Sequence, residues 1–488
     1  MRLPRKRRGR VILGVILGVV LLAGVLAVGA WYKLFREVDQ DFADVSEQFA
    51  YGSIGSEGAE GLPFEIWRVL PELFPEHLPG KGGYLSLGMF QEKGRDTPVG
   101  FTKKTIGIPR TAFNCAACHS ATFRTDREGS RKLVLTAPAT TFDPQGYVRF
   151  LIAAGADKRF TADNILKAIA RHTKLSWIDK QLYRRVIIPR TRDALRDQAT
   201  RFAWTNSRPD WGRGRIDPFN PVKFHQLKFD REKDNTIGNS DMVPLWNMAP
   251  KVGFALHWDG LDDDLTEVVL TGAIGDGASS VTGEPTDKLP VDDLKRIENY
   301  IKQVEAPKYP FAVKRTLAAR GESIFADKCA SCHEFGGART GKVIPLAEVK
   351  TDRHRLDMWT KEAAEKYNDY ANGYDFDFKR FRKTDGYVAV AMDGLWLRAP
   401  YLHNGSVPSL EDLLKPARRR PKVFYRGYDV VHPRKLGFIS QGPSARREGF
   451  AVDVRVAGNS NQGHEGAAYG TTLPEADKRA LVEYLKTR

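Results

Sequence analysis

Asn114-Cys115-Ala116-Ala117-Cys118-His119 and Lys328-Cys329-Ala330-Ser331-Cys332-His333 hold all four cysteines of the 488-residue chain. Each contains Cys-x-x-Cys-His, the attachment signature of a c-type haem. Cysteines three apart share one face of a helical turn, so both sulfurs can bond the vinyl groups of one haem. The histidine that follows then lies beneath the iron as its proximal ligand. Three other readings compete. One zinc held by four thiolates would leave the paired histidines unexplained. Two redox disulfides need a thioredoxin-like context that the sequence does not display. Coincidence would leave cysteines outside the motifs, and there are none. The sequence therefore predicts two covalently bound haem c groups, with His119 and His333 on the irons.

The segments around the motifs repeat one plan. Thr316-Leu-Ala-Ala-Arg-Gly-Glu-Ser-Ile-Phe325 has helical apolar spacing and good helix formers just before the second motif. It resembles the opening helix of a cytochrome c domain. Leu473-Pro474-Glu-Ala-Asp477-Lys-Arg-Ala-Leu481-Val-Glu-Tyr484-Leu485-Lys486 closes the chain. Leu289-Pro290-Val-Asp-Asp293-Leu-Lys-Arg-Ile297-Glu-Asn-Tyr300-Ile301-Lys302 has the same grammar earlier. Proline suits the first turn of each, and the apolar positions form one stripe. The fold class predicted is mainly α: two tandem cytochrome c-type haem domains with loop-rich insertions, after one N-terminal transmembrane helix. The first domain spans residues 33–305 and the second 311–488, divided at Ala306-Pro307-Lys-Tyr-Pro310. Within the first, residues 33–100 and roughly 170–240 read as additions, and Pro209 to Pro221 as loop.

Residues 2–10, RLPRKRRGR, precede 22 residues (11–32) without a charge. At ~1.5 Å per residue these give about 33 Å of helix, enough to cross a ~30 Å hydrocarbon core. The basic tail 1–10 is expected to stay cytoplasmic, and the span 11–32 to act as an anchor. A cleaved signal peptide has a shorter apolar region, about 7–15 residues. Either reading exports the rest, to the periplasm in a bacterium. The chain carries 76 Lys+Arg against 60 Asp+Glu, a net charge of +16. Export undercuts nucleic acid as the partner for that charge, and six of the positive charges belong to the tail. Hydrophobic residues at 42% and charged residues at 28% fit globular protein rather than collagenous or low-complexity chain.

The opposite face of each iron decides the chemistry: two strong protein ligands favour electron transfer, and an open face admits peroxide or dioxygen. For the second haem the candidates are His354, His403, His432 and His464. His464 ranks first, because its loop precedes the closing helix, and His403 second. For the first haem, His172, His225, His257 and Met248 offer no clear ligand, and an open face is expected. Leu256-His257-Trp258-Asp259-Gly260 lies between the motifs, and Trp258 is a candidate ring for carrying electrons between cofactors. Arg353, Arg355 and Arg398 are candidates for pairing with haem propionates.

The two haem motifs, the Trp-Asp-Gly at 258–260 and Ala399-Pro-Tyr-Leu-His403-Asn-Gly-Ser-Val-Pro408 resemble the bacterial di-haem cytochrome c peroxidase superfamily over roughly residues 100–488. The His257-Trp-Asp-Gly260 run and Gly458-Asn-Ser-Asn-Gln-Gly-His464 resemble its rubber oxygenase branch most. The resemblance implies a reactive haem on Cys115, Cys118 and His119. It implies an electron-relay haem on Cys329, Cys332 and His333 that His464 completes, with Trp258 between the two. In relatives calcium sits between the haems, which makes calcium a candidate here as well. Two departures weigh against polyisoprene as substrate. Rubber oxygenases carry a phenylalanine over the oxygen site, where this chain has Thr271-Gly-Ala273-Ile274-Gly275, and they are secreted untethered. The expected function is an exported, membrane-anchored di-haem oxidoreductase that passes electrons from a small donor protein to peroxide. The alternatives are an oxygenase that uses dioxygen to cleave an apolar unsaturated substrate, and a non-enzymatic electron carrier.

Overall fold

The computed structural model describes residues 5–488, with side chains at 5–11, 22, 26, 27, 30, 33 and 34 outside the described residues. Short helices alternate with long loops and small antiparallel ladders. Helix accounts for 42% of the residues, so a mainly α description is too strong. A four-stranded sheet orders Glu37–Val38, Lys104–Ile106, Ile108–Thr111 and Leu62–Pro63 side by side. Among the described residues four two-stranded ladders brace the loops, including Val343–Pro345 with Gly386–Val388 and Arg215–Ile216 with Ser240–Asp241. Strands this short carry no readable alternation, which is why the sequence did not display them.

The expected membrane span is corrected. The chain is helical over Arg5–Phe35, yet among the described residues no helix is long and apolar enough to cross a membrane. The transmembrane assignment of 11–32 is withdrawn. The tail 1–10 lies outside the described residues in its first four positions and in all its side chains.

The two closing helices form where the pattern placed them, at Val291–Gln303 and Glu475–Leu485, each with proline at its N-cap. Glu475–Leu485 crosses Arg315–Lys328, the helix that leads into the second motif. The crossing is close: a Cβ on Gly321 would stand 2.0 Å from the carbonyl oxygen of Ala480. Tyr484 packs on Phe325 there, ring centres 5.3 Å apart.

The earlier closing helix has the same arrangement with a different partner. Tyr300 packs on Phe49 of the helix Val45–Tyr51 at 5.6 Å, and Gln48 Nε2 donates to Asp293 Oδ1 at 2.7 Å. Part of the stretch 33–100 that reads as an addition therefore supplies the first motif's opening helix.

Among the described residues two of the hydrophobic cores lie wholly on one side of 306–310, and two others draw residues from both sides. One packs Phe49, Phe219, Ile274 and Ile301 with Trp359, Tyr367 and Phe381. A second joins Phe123 and Trp246 to Phe325, Trp396 and Leu481. Cys115 packs against the first of these cores and Cys329 against the second.

Candidate haem sites

Each motif is a single helical turn held at a fixed angle. Asn114 caps Cys115–Cys118, its side chain accepting from Ala116 N at 3.0 Å, and donates Nδ2 to Gly52 O at 3.0 Å. His119 N–H returns to Cys115 O at 2.9 Å, and His333 N–H to Cys329 O at 2.9 Å. The ring nitrogens are fixed in the same way at both motifs. His119 Nδ1 donates to Val243 O at 2.8 Å, and His333 Nδ1 to Val390 O at 2.7 Å. That bond sets the tautomer and leaves the Nε2 lone pair for a metal. Burial lowers both imidazoles, His119 to about 4. They stay neutral, the form that binds iron.

The rival readings of the cysteines find no support in this geometry. All four are free of disulfides. Burial pushes the Cys115 and Cys329 thiols up to about 12, whereas redox-active cysteines have lowered values. Among the described residues the one group of three or more side chains close enough to share a metal is Glu76, His77 and Asp157. The four thiols do not converge on a zinc.

His464 and His403 have different surroundings. The ring of His464 stands opposite His333, centres 6.2 Å apart and planes at 48°. Two imidazoles that bind one metal from opposite sides at about 2 Å each place their ring centres roughly 6 Å apart, so this spacing fits an iron between them. Burial lowers His464 to about 3, and its Nδ1 is a buried nitrogen without a partner.

The loop that delivers His464 is tightly held. Gly463 and His464 both take left-handed backbone, φ +77° and +49°. A Cβ on Gly463 would strike Lys350 at 2.4 Å, so the position requires glycine. His464 N–H donates to Val349 O at 2.8 Å. Arg420 spans the loop from behind, donating to the carbonyls of Asn461, Gly463 and His464. Sequence reasoning missed Arg420, because an arginine that satisfies loop carbonyls carries no motif.

His403 is buried against Tyr387 instead, rings stacked at 4.0 Å and 13°. The Tyr387 hydroxyl donates to Asp352 O at 2.6 Å and accepts from His403 Nε2 at 3.1 Å. With Nε2 engaged by that hydroxyl, His403 packs on Tyr387. His354 pairs with Asp352 and His172 with Glu72.

Trp258 is half-buried. Its indole N–H donates to Asp241 O at 2.7 Å, and its carbonyl accepts from Val388 N at 2.9 Å. These bonds tie it to chain on both sides of 306–310. Next to it, His257 has positive φ and a buried Nε2 without a partner, enclosed by Phe219 at 5.4 Å and Phe381 at 6.3 Å. Among the described residues no aromatic ring stands opposite His119 as His464 does opposite His333.

The arginines sort differently from expectation. Arg355 is committed to Asp259 at 3.1 Å and to Ser240 at 2.9 Å. Arg398 donates to Ala391 O and Asp393, and Arg353 forms an exposed pair with Asp357. Arg426, not singled out from sequence, is buried on Asp241 with Nε and Nη1 unpaired. A buried guanidinium with free donors suits a carboxylate such as a haem propionate. Opposed histidines, fixed tautomers and orphaned buried nitrogens together fit the group that the motifs imply.

The second half of this framework also has relatives. Residues 386–425 match the RoxA-like, cytochrome c-like family. The RoxA-like segment holds Tyr387, His403 and Arg420, which pack and tether the second site. A cytochrome c-like domain implies covalently bound haem c and an oxidoreductase-like protein that depends on haem, and such domains are often exported. The chain is also similar to the uncharacterized protein y4iM of Sinorhizobium fredii, 28% identical over 255 residues, 43% of this chain and 56% of that protein. A second uncharacterized protein of the same organism, y4iJ, is 42% identical over 107 residues, 21% of this chain and 17% of that protein. The chain thus spans about half the length of the first relative and under a fifth of the second.

Proposed function

We propose that the protein is an exported di-haem c oxidoreductase of peroxidase type, organised as two tandem haem domains. One haem would be held by Cys115, Cys118 and His119, and the other by Cys329, Cys332, His333 and His464. Bound there, the irons supply one-electron chemistry and, where a face is free, a place for a small oxygen ligand. The observation that carries this reading is the asymmetry between the sites: His333 faces His464 across a distance that fits one iron, and among the described residues His119 faces no such ring.

In this reading a small redox protein delivers electrons at the His333 site. Trp258, held by Asp241 and Val388, carries charge between the halves. At the His119 site each peroxide takes two electrons and two protons, its oxygen–oxygen bond breaks, and two waters form. His119 holds its proton on Nδ1 against Val243 throughout. Arg426 holds a propionate in place.

The test is to add peroxide to the reduced holoprotein while recording the haem bands. Oxidation of both centres at two electrons per peroxide supports the proposal. Bands that ignore peroxide, cyanide and carbon monoxide contradict it and leave an electron carrier.

A second reading has one specific observation in its favour. Cys115 packs against an apolar, aromatic core that includes Phe49, Phe219, Trp359 and Phe381, so one side of a haem held there would meet apolar surroundings. Oxygen uptake on adding an unsaturated lipid, with no peroxide, would favour an oxygenase.

A further inference from the structure

A cleft that the proposed chemistry does not use lies between the helices Pro144–Ala156 and Ile188–Arg201. The helices meet closely at one point. A Cβ on Gly155 would stand 2.5 Å from the Cβ of Leu195, and Arg196 Nε donates to Gly155 O at 3.1 Å. Beyond that contact the small side chains of Ala153 and Ala199 leave a gap. Val148, Ile152, Phe202 and Trp211 line the rest, around a cavity of about 180 Å³. None of these residues belongs to either haem motif.

The polar groups of the cleft are unevenly satisfied. Gln145, another lining residue, is only 3% exposed. Its amide is fixed in orientation, because Trp211 N–H donates to Oε1 at 2.9 Å. The amino end is then the free one, and Nε2 is a buried donor without a partner. Leaving such a donor unpaired is costly, so an acceptor that reaches it is favoured. Arg149, also on the lining, is already committed to Asp210 at 2.7 Å. The Thr205 hydroxyl donates within the protein, to Phe202 O at 2.8 Å.

We propose that this cleft binds a small, neutral, apolar carbonyl compound, with Gln145 Nε2 donating to the carbonyl oxygen. Volume sets the size: an apolar cavity of ~150 Å³ holds one benzene, so the cleft takes one ring or a short chain with its carbonyl group. Trp211 and Phe202 offer aromatic faces to the apolar part. The unpartnered donor disfavours a plain hydrocarbon. A carboxylate is disfavoured as well, because Asp210 already occupies Arg149 and a charge in apolar surroundings is penalised unless paired. The site does not depend on haem being bound elsewhere in the chain.

Isothermal titration calorimetry of the full-length protein tests this with three single-ring probes. Acetophenone should bind saturably at one site. Ethylbenzene has the same ring and no acceptor, and should bind about tenfold more weakly, since the buried donor stays unpaired. Benzoate, which is charged, should also bind more weakly than acetophenone. Gln145→Met keeps the length of the side chain and removes the donor, so acetophenone should lose its advantage over ethylbenzene. Ala153→Phe fills the gap and should abolish binding of both while the far-ultraviolet circular dichroism stays native. No saturable heat with acetophenone, or equal affinities for acetophenone and ethylbenzene in the native protein, would overturn the proposal. Undiminished acetophenone binding in Ala153→Phe would place the site elsewhere and overturn it too.

Discussion

The rings of His333 and His464 face each other at 6.2 Å between centres, although 130 residues of chain separate them. A separation suited to an iron between two imidazoles has a direct spectroscopic consequence. Replacing His464 with alanine should convert the second haem from low-spin to a form that binds carbon monoxide or cyanide, visible in absorption and paramagnetic resonance. His464→Met should keep it low-spin and raise its potential on the order of 0.1 V, within the ~0.8 V range that axial ligands command. A spectrum unchanged by either substitution would place the ligand elsewhere.

His403 should behave in the opposite way. It stacks on Tyr387 and donates to its hydroxyl, so His403→Ala should leave the haem spectra as they are. Its cost should be stability, about 2–3 kcal/mol for an emptied buried site, measured by denaturant unfolding of the holoprotein.

Gly321 sits where two helices nearly touch. A methyl group there collides with Ala480 O, which belongs to a backbone that cannot swing aside. Gly321→Ala should destabilise the protein by about 2–3 kcal/mol, whereas Ala319→Gly on the same helix should cost about 1 kcal/mol through helix propensity alone. Thermal melts of the two variants, compared with the native protein, check this.

Trp258→Phe keeps an aromatic ring but removes the N–H that Asp241 accepts. Both haem spectra should stay native while re-oxidation of the second haem by peroxide slows at least severalfold in stopped-flow measurements. Equal rates would exclude Trp258 as the link.

Burial raises the pKa of Asp276, which gives a pH dependence of stability with a definite sign. Its folded value, about 7, lies above the unfolded value of about 3.9, so the protonated form favours folding. That contribution is complete below pH ~4 and is lost as pH rises through about 7. Asp276→Asn escapes this loss, so its melting temperature relative to the native protein should rise between these limits and then level off.

Much of the candidate site was legible because covalent attachment of a haem would demand the fixed spacing that Cys115, Cys118 and His119 keep. The closing helices were legible too, since amphipathic runs beginning at Pro290 and Pro474 repeat at matching offsets. The order of His464 over His403 followed from position along the chain, and the His333–His464 spacing fits it. Other features had no local signature. The helix Val45–Tyr51 is seven residues long and far from the motif it serves, so its pairing with Val291–Gln303 is purely tertiary. Arg420 and Arg426 act on backbone and on a buried aspartate brought together by folding. The apolar stretch 11–32 misled in the other direction: hydrophobicity along the sequence measures capacity, and the described residues contain no helix that meets the length and apolarity of a span.

The central claim is that two haems are joined by thioether bonds to the two Cys-x-x-Cys-His motifs. The intact mass of the purified protein under denaturing conditions tests it most directly. The account predicts the polypeptide plus two haem groups, falling to one when Cys115 and Cys118 are both replaced by alanine. A colourless chain at the mass of bare polypeptide, or one carrying zinc, would contradict it.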